Sequence, residues 1–198
     1  MKQTDFENDL AALVAQPRLL IKKLIRQLAA QINNNLHAGG TCNIPRLCKF
    51  RVEKIRARWR WNMHTHANTH QAARYVIKKA DRGHAKQTLT PGWNPEYSYP
   101  ADRNFPDCRL ATDIAAASGI DVLICNRFVY QFANLAIATL NAGQTVPIQN
   151  LGTFYAYNKA ARTVPDFRTW NTTNERLPIA AQKVVNFRPC KRLKNLVN

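Results

Sequence analysis

Apolar residues recur at helical spacing in two long stretches of the chain, and each stretch is followed by residues at strand spacing. Phe6, Leu10, Leu13 and Val14 predict a short first helix that Thr4 or Asp5 can cap. Pro17 breaks it and suits the first turn of a second helix. Over residues 18–36, Leu20, Ile21, Leu24, Ile25, Leu28, Ala29 and Ile32 make one wide apolar face, and Gly39-Gly40 ends the helix. Residues 42–50 read as strand, turn, strand. From 50 to 61, Arg51, Lys54, Arg56, Arg58 and Arg60 interleave with Val52, Ile55, Trp59 and Trp61. That alternation predicts an exposed, twisted β-ribbon rather than a buried strand. Polar residues 62–71 are its predicted tip. A return strand carrying Arg74 follows at 72–79, then a weak short helix at 83–89.

The pattern then starts again. Residues 90–107 hold Pro91, Pro95, Pro100 and Pro106 with Gly92, Trp93, Tyr97 and Tyr99, and predict an extended linker. At about 3 Å per residue it reaches roughly 50 Å. A short helix is predicted at 110–117, stopped by Gly119, with Asp121 capping the next. Residues 122–140 bring Phe128, Val129, Phe132, Leu135, Ala136 and Ile137 to one face, and Ala142-Gly143 stops them. Strand, turn, strand is predicted for 145–154 and an outgoing arm for 155–162. Residues 165–176 form the tip, 178–187 the return, and 190–197 a basic closing helix.

The two halves share a fixed offset. Ile44, Leu47 and Phe50 lie 104 positions before Ile148, Leu151 and Phe154; Leu36 and Ala38-Gly39 hold the same offset to Leu140 and Ala142-Gly143. A constant offset over several features predicts two like units. We place them at residues 1–89 and 108–198, with the linker at 90–107.

Charge turns this architecture toward a partner. The net charge of +17 predicts a polyanion, most often nucleic acid and less often an anionic membrane surface. Residues 1–90 hold 17 Lys and Arg against 5 Asp and Glu, so +12; residues 91–198 hold 12 against 7, so +5. The five cysteines are odd in number and form no C-x-x-C pair, which predicts reduced thiols in a cytosolic-type compartment. Charges at Lys2, Asp5, Glu7 and Asp9 argue against a secretory signal, and no apolar run of about 18 residues predicts a membrane span. His64, His66 and His70 match no closed zinc pattern, so neither metal nor cofactor is expected. No nucleophile–base arrangement, phosphate loop or carboxylate pair stands out, so no enzyme activity is expected.

Several words in the second unit are similar to the bacterial HU and integration host factor family, the histone-like DNA-binding proteins. They are Leu151-Gly152-Thr153-Phe154, Lys159-Ala160-Ala161-Arg162-Thr163, Ile179-Ala180-Ala181-Gln182-Lys183, and Phe187-Arg188 followed by Lys191, Leu193 and Lys194. They fall in the family's order over about 90 residues. The first unit resembles the family less, through Gly39, Leu47, Phe50, Arg58 and the tip Asn62-Met63-His64-Thr65.

The resemblance implies an α+β fold. Two units, each of two helices, a three-stranded sheet with a long β-ribbon arm and a C-terminal helix, form an intertwined pseudo-dimer within one chain. It also implies two arms that hold double-stranded DNA from the minor-groove side. Arm one offers Arg51, Lys54, Arg56, Arg58, Arg60, Trp61 and Arg74; arm two offers Lys159, Arg162, Arg168, Arg176 and Lys183. The family's tip proline falls at Met63 and Phe167, both apolar wedge types. Trp59 and Trp61 compete for that role in arm one, Pro165 and Trp170 in arm two. Phosphate contacts on the body are expected from Lys2, Arg18, Lys22, Arg46, Lys86, Arg109, Lys191 and Lys194. Largely nonspecific DNA bending and compaction is the function implied. A site-preferring bender and a structural or assembly protein retaining the fold are its alternatives. The chain is expected to act as a monomeric pseudo-dimer, with further self-association on DNA left open. Its expected place is the nucleoid, or a viral or phage genome.

Overall fold

The repeat of sequence is a repeat of burial. A computed structural model describes residues 2–64, 66–81, 107–165 and 176–198. Helices α1 (Gln3–Val14) and α2 (Arg18–His37) lead into β1 (Thr41–Ile44) and β2 (Cys48–Ile55). The first arm continues through β3 (Arg58–Asn62) and β4 (Ala67–Gln71), and β5 (Arg74–Asp81) returns to the body. The second unit has α3 (Arg109–Ser118), α4 (Val122–Asn141), β6 (Val146–Ile148), β7 (Gly152–Lys159), β8 (Arg162–Pro165), β9 (Arg176–Ile179), β10 (Gln182–Pro189) and α5 (Lys191–Val197).

Buried positions in α2 are Ile21, Leu24, Ile25, Leu28, Ala29, Ile32 and Leu36. Adding 104 to each gives Cys125, Phe128, Val129, Phe132, Ala133, Ala136 and Leu140, all buried in α4. The left-handed turn positions repeat too: Ala15 with Gly119, Gly39 with Gly143, and Arg46 with Asn150. The backbone path therefore survives where side chains differ, even where a non-glycine residue must adopt positive φ.

The units do not fold side by side. All the large buried residues belong to one core. Phe6 of α1 meets Phe132 of α4 edge to face, with ring centroids 5.5 Å apart. Helix α2 packs on α3 as well as on α1, and α5 packs on β5 and α2 of the first unit. There the Asn198 side chain closes on the Tyr75 backbone: the Tyr75 N–H donates to Oδ1 (2.9 Å) and Nδ2 donates to the Tyr75 carbonyl (3.1 Å). Phe50 of the first unit lies 6.0 Å from Phe154 and 4.9 Å from Phe187 of the second. Such ring pairs each contribute about 0.5–1.5 kcal/mol beyond their burial.

Each body sheet has three antiparallel strands, ordered β1-β2-β5 and β6-β7-β10, with β2 and β7 central. Beyond them each arm becomes a separate two-stranded ribbon, β3-β4 or β8-β9. The break falls at the same place in both: Arg56-Ala57 opposite Ala72-Ala73, and Ala160-Ala161 opposite Ala180-Ala181. All of these residues but Arg56 are alanines, whose small side chains leave room for the ribbon to change direction there.

The offset of 104 holds through β2 and β7 and becomes 108 from Gln71 and Ile179 onward. The second arm is thus four residues longer at its tip. The shift also sets Lys79 opposite Phe50 where the second unit sets Phe187 opposite Phe154. Lys79 Nζ instead donates to the Val185 carbonyl of the other unit (2.5 Å).

Four sequence expectations change. Residues 62–71 are not all tip: Ala67–Gln71 is a strand paired with β3. The first helix begins before Thr4 and Asp5, and the Asp5 carboxylate accepts from the Lys2 N–H (3.2 Å). Pro17 precedes α2 and its carbonyl accepts from the Leu20 and Ile21 N–H groups. The return strand of arm one starts at Arg74 rather than at 72. Asp121 does cap α4, accepting from Leu123 N–H at 2.6 Å. The helix expected at 83–89, the linker apart from its last residue, and the interior of the second tip lie outside the described residues.

Candidate nucleic-acid interface

Side chains alternate along a strand, so each ribbon has two faces. In arm one the β3-β4 register pairs Arg58 with Gln71, Trp59 with His70, Arg60 with Thr69 and Trp61 with Asn68. Directly opposed residues share a face. Arg58 and Arg60 therefore stand with Thr69 and Gln71, while Trp59 and Trp61 stand with Asn68 and His70. All of these are exposed except the half-buried Gln71. Arg56 projects at the ribbon break. Nearer the body, Lys54 lies over the Tyr75 ring at 5.9 Å. Arg51 pairs with Glu53 at 3.5 Å, an exposed pair of the kind that contributes about 0–1 kcal/mol. Arg74 is exposed opposite Ile55. Met63 is 80% exposed at the tip.

Arm two is less basic. Lys159 is exposed at the end of β7, Arg162 opposite Ile179, and Arg176 opposite Pro165. Tyr155 and Tyr157 line the outer face of β7, with the Arg188 guanidinium 5.6 Å from the Tyr155 ring. Phe167, Arg168 and Trp170 lie outside the described residues, as does Lys86. Lys183 is half-buried and tethered to the body: Nζ donates to the exposed Asn141 carbonyl at the end of α4 (2.5 Å), where the helix dipole favours a cation.

The body residues separate into clamps and free cations. Glu7 is buried, and Arg18 meets it at 3.3 Å while Gln3 Nε2 donates to its other oxygen at 3.0 Å. Arg18 therefore holds a buried carboxylate while 46% of its own side chain stays exposed. Arg46 Nη1 donates to Asn134 Oδ1 at 2.7 Å across the two units. Lys191 and Lys194 are exposed on α5, as are Lys2 and Arg109.

Sequence reasoning missed Arg26. With Arg18 and Lys22 it stands at i, i+4 and i+8 on α2, along a cleft of about 610 Å³ that also borders Gln149 and Asn150 of the other unit. The spacing was the available signal. The equivalent positions in α4 are Val122, Asn126 and Tyr130, so one flank of the body carries this basic row and the other does not. Burial pushes the Cys42 thiol up to about 11, partly offset by a hydrogen bond with Asn35. The Cys125 thiol is also raised by burial. Among the described residues no three His, Cys, Asp or Glu side chains cluster, and no helix is long and apolar enough to cross a membrane.

Comparison with known proteins reports the same two units. The family described as bacterial DNA-binding protein matches residues 1–80 and again 108–198. A solved structure, described as an Anabaena HU-DNA cocrystal structure, is similar at 19% identity. It covers 46% of this chain and 94% of that one, with a TM-score of 0.40. No curated protein matches. The two matched segments enclose both sets of helices, both sheets and both arms, and so the chain belongs to the bacterial DNA-binding protein family, with two copies of the family's unit in one polypeptide.

Proposed function

We propose that this chain is an architectural double-stranded DNA-binding protein that uses its two arms in the minor groove and bends or compacts the duplex. The observation that carries the reading is the pair of exposed basic ribbons leaving one shared core, in a chain of net charge +17. A bent duplex costs about 1–6 kcal/mol to form by elastic estimates. Contacts from two arms and a body can offset that only if both arms are held at fixed separation. The aromatic cluster of Phe50, Phe154 and Phe187 at the arm bases supports such a fixed separation.

Arginine on the arms suits phosphate forks and narrow minor grooves. Backbone contacts position a protein without reading sequence, so binding is largely nonspecific. Carrying both units in one chain replaces a bimolecular association by an intramolecular one. The expected place of action is a nucleoid, or the genome of a virus or phage, and no catalysis is involved.

The unequal arms favour a second reading, a bender that prefers particular sites by their shape. Arm two is four residues longer at the tip, and arm one carries Trp59 and Trp61 where arm two has Thr163 and Pro165. Footprinting on random and selected sequences separates the two, since equal occupancy removes the site-preferring reading. For the main proposal, gel shifts on linear, nicked and pre-bent duplexes over a salt series are decisive. Tighter binding to nicked or bent duplex with a steep salt dependence is expected. Equal, weak, salt-insensitive binding to all three would overturn it.

A further inference from the structure

We infer that the outer half of arm one is a stacking platform for unpaired bases, which gives this chain a single-stranded DNA-binding site in addition to its duplex-binding surface. The inference rests on the proposed DNA-binding function and extends it to a ligand that a phosphate-contacting ribbon does not require.

Trp59 and Trp61 share one face of β3 and remain 68% and 56% exposed. Exposed tryptophans of this size on a ribbon that reaches away from the core contribute nothing to its packing. Their attachment points are two residues apart, about 6.7 Å along a strand. That is about twice the 3.4 Å rise of stacked bases, so one base fits between the two rings, or one stacks on each. His70 and His66 meet the indoles at 62° and 74°, not in parallel stacks.

Trp61 also borders a concavity of about 320 Å³ at the ribbon's outer end, whose other lining residues are Met63 and, from the opposite face, Arg60, Thr69 and Gln71. It joins an aromatic and a thioether to a guanidinium, a hydroxyl and an amide. Those polar groups can take a phosphate where a strand that stacks on the indoles passes round the ribbon's outer end. Arg56, Arg58 and Arg60 supply the charge that a strand's backbone demands. The equivalent positions in arm two are Thr163 and Pro165. The platform is therefore not part of the repeated scaffold, which forms without it in the other unit.

Stacking on an aromatic is sequence-tolerant, and its loss weakens binding by about 5- to 150-fold per base. The test uses the full chain, a thymidine oligonucleotide and a duplex of the same length, with anisotropy for affinity and intrinsic tryptophan fluorescence for stacking. The wild type is expected to bind the oligonucleotide with quenching. Trp59→Ala/Trp61→Ala is expected to lose at least about tenfold more affinity for the oligonucleotide than for the duplex. Trp59→Phe/Trp61→Phe, which keeps aromatic faces, should retain most of the difference. A chain that binds duplex but not the oligonucleotide overturns this inference and leaves the tryptophan face to a protein partner. So does a double alanine variant in which both affinities fall equally or neither falls. A wild type that binds neither nucleic acid overturns the DNA-binding proposal as well.

Discussion

Phe187 closes over Gly152: a β-carbon at position 152 would lie 2.8 Å from the Phe187 ring and 2.3 Å from the Arg188 carbonyl oxygen. Gly152 also holds φ at +151°, a conformation that side chains rarely adopt. Unit one has Cys48 at the equivalent position, and the residue equivalent to Phe187 there is Lys79. Cys48 is not among the positive-φ residues, so unit one takes up this position with a backbone that accepts a side chain, whereas backbone and ring together require glycine at 152. Gly152→Cys, which copies unit one into unit two, should therefore cost at least about 3 kcal/mol. Denaturant unfolding measures it, and a change below 1 kcal/mol would contradict the steric account.

The ring of Phe50 lies against both Phe154 and Phe187, so it ties one arm base to the other unit. Phe50→Ala should cost about 3–5 kcal/mol, as for other buried aromatics. Because one core serves both units, the variant should still unfold in a single transition, seen as coincident fluorescence and circular-dichroism curves. Two separated transitions would show that the units fold independently.

Arg18 and Lys22 are neighbours on α2 with different tasks. Removing Arg18 leaves the buried Glu7 with Gln3 as its remaining side-chain partner, so Arg18→Ala should destabilise by about 1–3 kcal/mol, with Glu7→Gln in the same chain restoring much of that. Lys22→Ala and Arg26→Ala should leave stability nearly unchanged. Each should lower the slope of log affinity against log salt by about 0.9. Thermal melts and salt titrations of the variants separate stabilising from DNA-contacting roles.

Burial raises the folded-state pKa of Cys42 from 9.0 to about 11. The neutral thiol is favoured in the folded chain, so this contribution is complete below pH 9 and is lost as pH rises toward 11. The loss amounts to about 2–3 kcal/mol. Wild type should lose that much more stability than Cys42→Ala between pH 8.5 and 11 by urea denaturation, since other titrations are common to both. Parallel pH profiles would contradict the buried position of the thiol.

The repeat at 104, the long helices and the core were legible because burial imposes periodicity: Leu24 and Phe128 lie in corresponding places for the same reason. Strand β4 was not legible. Its sequence Ala-Asn-Thr-His-Gln has no apolar alternation, because neither face of the free ribbon meets the core. The roles of Arg18, Arg46 and Lys183 were hidden for another reason. Their partners Glu7, Asn134 and Asn141 are fixed by tertiary approach and not by local spacing. Cys48 stands where the second unit has Gly152, and the difference depends on residues distant in sequence: Lys79 lies opposite Phe50 but Phe187 opposite Phe154, at an offset of 108 that the longer second tip creates.

The central claim is that one chain, by itself, supplies both arms to one bent duplex. The most direct measurement is energy transfer between the two ends of a short labelled duplex, titrated with the chain at low salt while the mass of the complex is recorded. The account predicts a rise in transfer that saturates at one chain per duplex and is weakened in Arg58→Ala/Arg60→Ala. Saturation at two chains, or binding with no change in end-to-end distance, would contradict it.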